Sequence, residues 1–337
     1  MTPREIIREQ ICHHETVPVP YTLQYDKEVG ERLDTYYGGD EWRKKIKAYL
    51  ARVEDIGVPD AEKLDDTHER DLFGTVWRTD NTPSVVEKAP LSEPSFQGYD
   101  FPTVDKFVDP AKIRSAKKFV DESRDVFTFT GAPSLFLTWY LRGFETTMMD
   151  IVAEENFYIE LLDRMTQLTL DFLNTLTELP ADAIVMGDDW GGQRGVLIGP
   201  DRWRKLYKPR YARIFDAIRE QGKFSIMHCC GSVYDIMGDL VDVGLDVLES
   251  VQPEAANMNP YELKRRWGDK IAFWGGLGTQ QTIPYGTPEE IRSEIRKLHS
   301  EMSKGGGYIL APAKPLRPEV PTDNAVAVVE EFLNLGN

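Results

Sequence analysis

The run FSIMHCCGSVYD, residues 224–235, sets His228 and Cys230 two positions apart at the end of an apolar stretch and just before a glycine. If residues 224–230 form a strand, its period of two sends His228 and Cys230 to one face and Cys229 to the other. At a rise of ~3.3 Å per residue their backbones stand about 6.6 Å apart, so both side chains can lean onto one ion. An imidazole beside a soft thiolate suits zinc best among the common metals. The competing reading is a hydrogen-bonded histidine at a strand end beside an ordinary buried thiol. A disulfide is rejected. The 3 cysteines are an odd number without framework spacing, as in a reducing compartment, and the adjacent Cys229 and Cys230 side chains leave an extended chain on opposite faces.

A metal site needs a third protein ligand. His13, His14, His68 and His299 fall away from the expected strand ends, and CHHE, residues 12–15, reads as the end of a helix. Carboxylates remain: Glu249, which closes the next strand, or Asp188, which closes the preceding one, with Glu249 preferred. Asp188 and Asp189 together also suit acid–base work, since one of two adjacent carboxylates can keep its proton. Loop solvation or helix capping is the other use of such a pair.

What must position these residues is a parallel sheet. AIVMGDD (183–189), FSIMHCC (224–230), DVLESVQ (246–252), IAFWGGLG (271–278) and YILAPAK (308–314) are apolar nearly throughout, as strands covered on both faces should be, and amphipathic helices separate them. Val233, Ile236, Met237, Leu240 and Val241 form one apolar stripe ending at Gly244, while NPYELKRRWG and TPEEIRSEIRKLHSEM each open on a capping box with proline at the first helical position. Upstream, VPVPYTLQ (17–24), TVWRTD (75–80) and DVFTFTGAPSLF (125–136) bring the strand count to eight. Eight parallel strands wound by helices predict an α/β fold, a (β/α)8 TIM barrel forming a single domain over residues 1–337 with N-terminal insertions; no Gly-rich dinucleotide loop supports the open doubly wound alternative. The working end of such a barrel is the C-terminal rim of its strands. Asp188, Asp189, His228, Cys230, Glu249, Gln252, Trp274, Gln280, Lys314 and Arg317 would meet there.

Composition narrows the partners. The 337 residues are 41% apolar and 28% charged, with a net charge of −16, which opposes nucleic acid and anionic membrane surfaces. No apolar run approaches the ~20 residues of a membrane helix. The opening MTPREIIREQ lacks a signal pattern, so the expected location is the cytoplasm.

Longer stretches carry a resemblance. MGDDWGGQRGVLIGPDRWRKLYKPRY, HCCGSVYDIMGDLVDVGLDVLESVQP, AFWGGLGTQQTIPYGTPEEI and GGGYILAPAKPLRPEVP resemble the uroporphyrinogen decarboxylase superfamily, and within it the branch of cobalamin-dependent (corrinoid) methyltransferases. The likeness runs from PREIIREQICHHETVPVP to the C-terminus and implies a (β/α)8 barrel. The decarboxylases carry an Arg-Gln-Ala-Gly-Arg segment after the first strand, whereas YTLQYDKEVGER offers Gln24 without the paired arginines. The zinc methyltransferases carry His-x-Cys-Gly, matched by His228, Cys230 and Gly231, and a further cysteine after the last strand, where this chain has Ala313 and Lys314.

The resemblance therefore implies a zinc enzyme that moves a methyl group from a small, methoxylated donor to a corrinoid on a separate carrier protein, the zinc polarising the donor's oxygen. Exchanging one thiolate for a carboxylate makes the ion harder and favours that role. On this reading Asp188 or Asp189 protonates the leaving oxygen, and Gln24, Trp139, Tyr140, Trp190, Gln252, Trp274 and Lys314 bind the substrate. No cobalamin-binding Asp-x-His-x-x-Gly motif occurs in the chain. Three other readings stay open: a metal-independent decarboxylase of a small or tetrapyrrole acid, with Arg194, Lys314 and Arg317 holding carboxylate; methyl transfer in the opposite direction, onto a thiol; and a non-catalytic ligand-binding member of the fold. Pairing into a homodimer is common in the family.

Overall fold

The computed structural model describes residues 1–54, 56, 61–80 and 84–335. Seven parallel strands pair each with the next: β1 Leu50–Arg52, β2 Phe127–Gly131, β3 Ala183–Gly187, β4 Phe224–His228, β5 Val247–Val251, β6 Ala272–Leu277 and β7 Tyr308–Pro312. Residues 20–25 take the eighth position. Thr22 N–H donates to the Leu310 carbonyl at 2.9 Å and Leu310 N–H to that of Pro20 at 3.0 Å, with a second parallel bridge between Tyr25 and Leu316. With helices wound around the strands this is the expected TIM barrel. Ile226, Met227, Val247, Leu248 and Phe273 are fully buried, as the apolar runs require.

One seam stays open. Among the described residues no ladder joins 20–25 to β1; instead Lys47 N–H donates to the Tyr21 hydroxyl at 3.1 Å and the Tyr21 and Tyr49 rings meet at 5.5 Å.

TVWRTD is not a barrel strand. Val76–Arg78 pairs antiparallel on both sides in a separate four-stranded sheet, and the second barrel position belongs to Leu50–Arg52. That strand has three residues, LAR, with no β-branched side chain, too short for period or propensity to mark it.

The helices follow their caps. Thr287 and Glu290 form a complete capping box, and the helix Pro288–Met302 buries Ile291, Ile295, Leu298 and Met302. At Pro260–Trp267 only half the box forms: Asn259 accepts from Glu262 N–H, while the Glu262 carboxylate turns to Arg265 and Arg266. After β4 a 3-10 turn, Tyr234–Ile236, precedes the helix Met237–Asp242, and Gly244 follows at φ 80°.

The first helix, Pro3–Ile11, closes the bottom of the barrel by satisfying strand starts. Gln10 is wholly buried; its side-chain oxygen accepts from Tyr308 N–H at 3.0 Å and its carbonyl from Gly307 N–H at 2.7 Å. Asp182, just before β3, accepts from Arg4 at 2.9 Å, Arg8 at 2.8 Å and Thr128 N–H at 3.1 Å. The arginines are partly exposed and can rehydrate, but the Thr128 amide cannot, so Asp182→Ala should cost about 1–3 kcal/mol. Urea unfolding measures this. An unchanged midpoint would mean that the helix docks by its apolar face alone.

Candidate metal centre and cavity

Strand β4 ends at His228, and two glycines set the path of the chain beyond it. Gly231 has φ 72°; a Cβ there would lie 2.6 Å from the Gly191 carbonyl oxygen, and one on Gly191 would lie 2.4 Å from that of Cys230. Only glycine lets the loops after β3 and β4 touch backbone to backbone. Ser232 N–H donates to the Gly192 carbonyl and Cys230 N–H to Asp189 Oδ1, both at 2.9 Å. Asp189 is thereby carried to the end of β4.

The result is a cluster of three donors. One ligand atom from each of Asp189, His228 and Cys230 lies within 4.8 Å of the others: Cys230 Sγ is 3.3 Å from His228 Nε2, which is 3.9 Å from Asp189 Oδ1. Asp189, rather than Glu249 or Asp188, supplies the third atom of this cluster. Glu249 instead hydrogen-bonds through Oε2 to Nδ1 of His228. A carboxylate on the far ring nitrogen is the usual orienting partner of a metal-bound histidine, and it leaves Nε2 facing Asp189 and Cys230. One nitrogen, one sulfur and one oxygen donor are a set that fits zinc.

Charge at the cluster is balanced by protons. Burial opposes a charged His228, but its hydrogen bonds to Cys230 and Glu249 and the nearby negative charge outweigh it and raise the imidazole to about 10. Lys314 Nζ donates to Cys230 Sγ at 2.7 Å. A metal ligand must be a neutral imidazole, so ion uptake here is coupled to proton release. On the other face of the chain, burial pushes the Cys229 thiol well above its ordinary range, which suits inert packing.

Asp188 does not share the mouth. It is fully buried, accepting from the Tyr211 hydroxyl and, at 2.5 Å, from Phe136 N–H. Burial pushes it up to about 7 despite those hydrogen bonds. Enclosed in this way it ties helix to barrel, and the acid–base role expected of it has no path to a substrate.

A cavity of about 570 Å³ opens along the seam, reached by His228, Glu249, Gln24, Trp274 and Lys314. Trp274 Nε1 donates to Thr22 Oγ1 at 2.9 Å, fixing the indole as a wall. Four expected binding residues are not on its wall. Trp139 is buried with Nε1 on the Tyr207 hydroxyl at 3.2 Å, and Trp190 packs on Trp203 and Tyr211; both are buried against the helix layer. Gln252 braces the loop, its Oε1 accepting from Gly231 N–H at 2.9 Å. Tyr140 stands beside the site, edge-on to Trp77 at 4.7 Å, its phenol pushed up to about 12 by burial and by Asp189 and Asp188. Arg194 is exposed in the turn after Gly192 and outside the cavity wall.

What the sequence left unread is the other wall, Arg43 to Arg52. The signal present was KKIKAYLAR, basic and apolar residues interleaved ahead of the unrecognised β1.

The family model described as Uroporphyrinogen decarboxylase (URO-D) matches residues 75–334. The methylcobamide:CoM methyltransferase MtaA of Methanosarcina barkeri is 25% identical over 178 residues, 53% of this chain and 49% of its own length. The uroporphyrinogen decarboxylase of Geobacillus thermodenitrificans is 27% identical over 219 residues, 63% and 60% of the two chains. The chain thus spans about half to three fifths of the length of these curated relatives. A solved methyltransferase from Methanosarcina mazei superposes with a TM-score of 0.69 at 18% identity, covering 98% of both chains, a likeness of fold.

Glu249→Gln keeps a hydrogen-bond acceptor for His228 but removes the charge that orients and strengthens it. Zinc affinity, measured by competition with a chromophoric chelator, should fall about 10–100-fold. Unchanged affinity would show that Glu249 does not tune the ring.

Proposed function

The chain belongs to the uroporphyrinogen decarboxylase family, and from that premise we propose that it is a zinc-dependent methyltransferase moving a methyl group from a small methoxylated donor to a corrinoid carried by a partner protein. The observation that carries this reading is the convergence of Asp189, His228 and Cys230 at the rim of a barrel, next to a cavity of small-molecule size. Similarity to a relative whose name is methylcobamide:CoM methyltransferase supports it.

Asp189, His228 and Cys230 would hold the metal. Bound there, zinc supplies Lewis acidity toward the donor's oxygen as the methyl group departs. The chain's own residues do the rest. Glu249 holds the imidazole in one orientation, and Trp274, pinned by Thr22, gives the donor a rigid apolar wall. With Asp188 enclosed, the proton for the leaving oxygen falls to Lys314, whose ammonium reaches Cys230 and lines the same cavity.

A second reading has one observation in its favour. A decarboxylase needs cations to hold its acid, and Lys314 and Arg317 do line the cavity.

Purified protein should contain about one zinc per chain, and His228→Ala or Cys230→Ala should each lose it. Supplied with methoxylated donors and free reduced cobalamin, the zinc-loaded protein should form methylcobalamin, and both variants should lose that activity by about 100-fold or more. A protein that stays active after chelation, or that releases carbon dioxide instead, would overturn the proposal.

A further inference from the structure

The cavity wall differs in charge from the rest of the molecule. The chain carries 40 Lys and Arg against 56 Asp and Glu. Among the described residues, however, Arg43, Lys47, Arg52, Lys314 and Arg317 line the cavity against a single carboxylate, Glu249, which is occupied by His228. The cations are not equivalent. Arg43 is clamped by both oxygens of Asp34, at 3.0 and 2.6 Å; Arg317 touches Asp26 at 3.4 Å; Lys314 sits on Cys230. Lys47 makes no ion pair among the described residues, its ammonium standing 5.0 Å from the centre of the Tyr49 ring.

We propose that the cavity binds an organic anion, and that the methyl donor is a compact carboxylic acid received at its charged end by Lys47, with Arg317 and Lys314 adding to the local field. Which end of that acid reacts rests on the methyl-transfer reading; the anion site does not. The physical ground is local. At net −16 the whole protein repels anions at long range, but beyond about 8 Å salt screens that repulsion, and inside a cleft the nearest charges dominate. A lone ammonium open to water is a weak anchor. Tyr25, Tyr49, Phe129 and Trp274, which line the same cavity, supply the apolar contact that would make an aryl or similarly flat acid bind where a simple anion would not.

The test uses benzoate as probe and benzyl alcohol as its neutral counterpart, titrated into the full chain without added metal and followed by tryptophan fluorescence. Benzoate should bind at least about tenfold more tightly than benzyl alcohol, and its affinity should fall with salt. Lys47→Met should weaken benzoate about tenfold and Lys47→Glu more, with benzyl alcohol unaffected; the side chain is exposed, so folding is not at stake. In the cobalamin assay 4-methoxybenzoate should show a lower KM than anisole, and Lys47→Met should raise it. Equal binding of the two probes, or benzoate binding indifferent to Lys47→Glu, overturns the anion site. Benzoate bound as expected with no methyl transferred from either donor upholds the site and defeats the methyl-transfer reading instead.

Discussion

Two backbones in contact govern the rim. Between Gly191 and Gly231 there is no space for a single Cβ: either one would stand closer than 3 Å to backbone atoms of the opposite loop, and Gly231 also adopts a left-handed φ that side chains disfavour. Backbone cannot swing aside as the end of a side chain can, so any larger residue must separate the loops. The Ser232 to Gly192 hydrogen bond and the Cys230 amide on Asp189 both depend on that approach. His228 comes from the strand and would keep its place; Asp189 comes from the neighbouring loop and would not. The geometry of the three donors is thus a property of the contact, with Gln252 bracing Gly231 from the next strand. A site held by backbone in this way is pre-organised before any ligand arrives.

The charges around the cluster are matched to the same end. Asp189, Glu249 and the Cys230 sulfur are the electron-rich groups, and the His228 proton and the Lys314 ammonium are what faces them. A divalent ion would enter against these two cations, and its binding at the imidazole would release the His228 proton. Lys314 stands where the related zinc enzymes were expected to carry a cysteine. Its presence keeps the donor set at one sulfur, one nitrogen and one oxygen, a harder and less electron-rich environment than two thiolates would give. Such an ion would polarise an oxygen better than it would activate a thiol, which accords with the ether donor proposed above.

The parts legible in the sequence were those that repeat a strong local signal. Five apolar runs ended within a residue or two of β3 to β7, and the Thr287 capping box formed in full. His228 and Cys230 share a face because a strand's period leaves no choice. The third donor could not be chosen that way: Asp188 and Asp189 are adjacent, and which of them faces the mouth is decided by Tyr211 and Phe136 claiming the first, a tertiary fact. The aromatic residues misled for a related reason. Trp139 and Trp190 lie near the rim in sequence, but their indoles serve helix packing, and nothing in a single sequence separates a wall from a core.

The segment hardest to read also makes the room for chemistry. A closed barrel of eight strands fills its interior with layers of side chains and leaves no pore. Here β1 is three residues long and no ladder joins it to residues 20–25 among the described residues, so the two staves are held by side chains, Tyr21 receiving the Lys47 amide and stacking edge-on with Tyr49. A tyrosine-wide spacer replaces a direct backbone pair, and the cavity occupies the gap. Arg43, Ile46, Lys47, Tyr49 and Arg52 then line that gap, which is how a basic stretch with no sheet-forming signal becomes one wall of the pocket. A longer, β-branched β1 would have been easy to find in the sequence, and by zipping the seam shut it would have removed the space in which a substrate could meet the cluster.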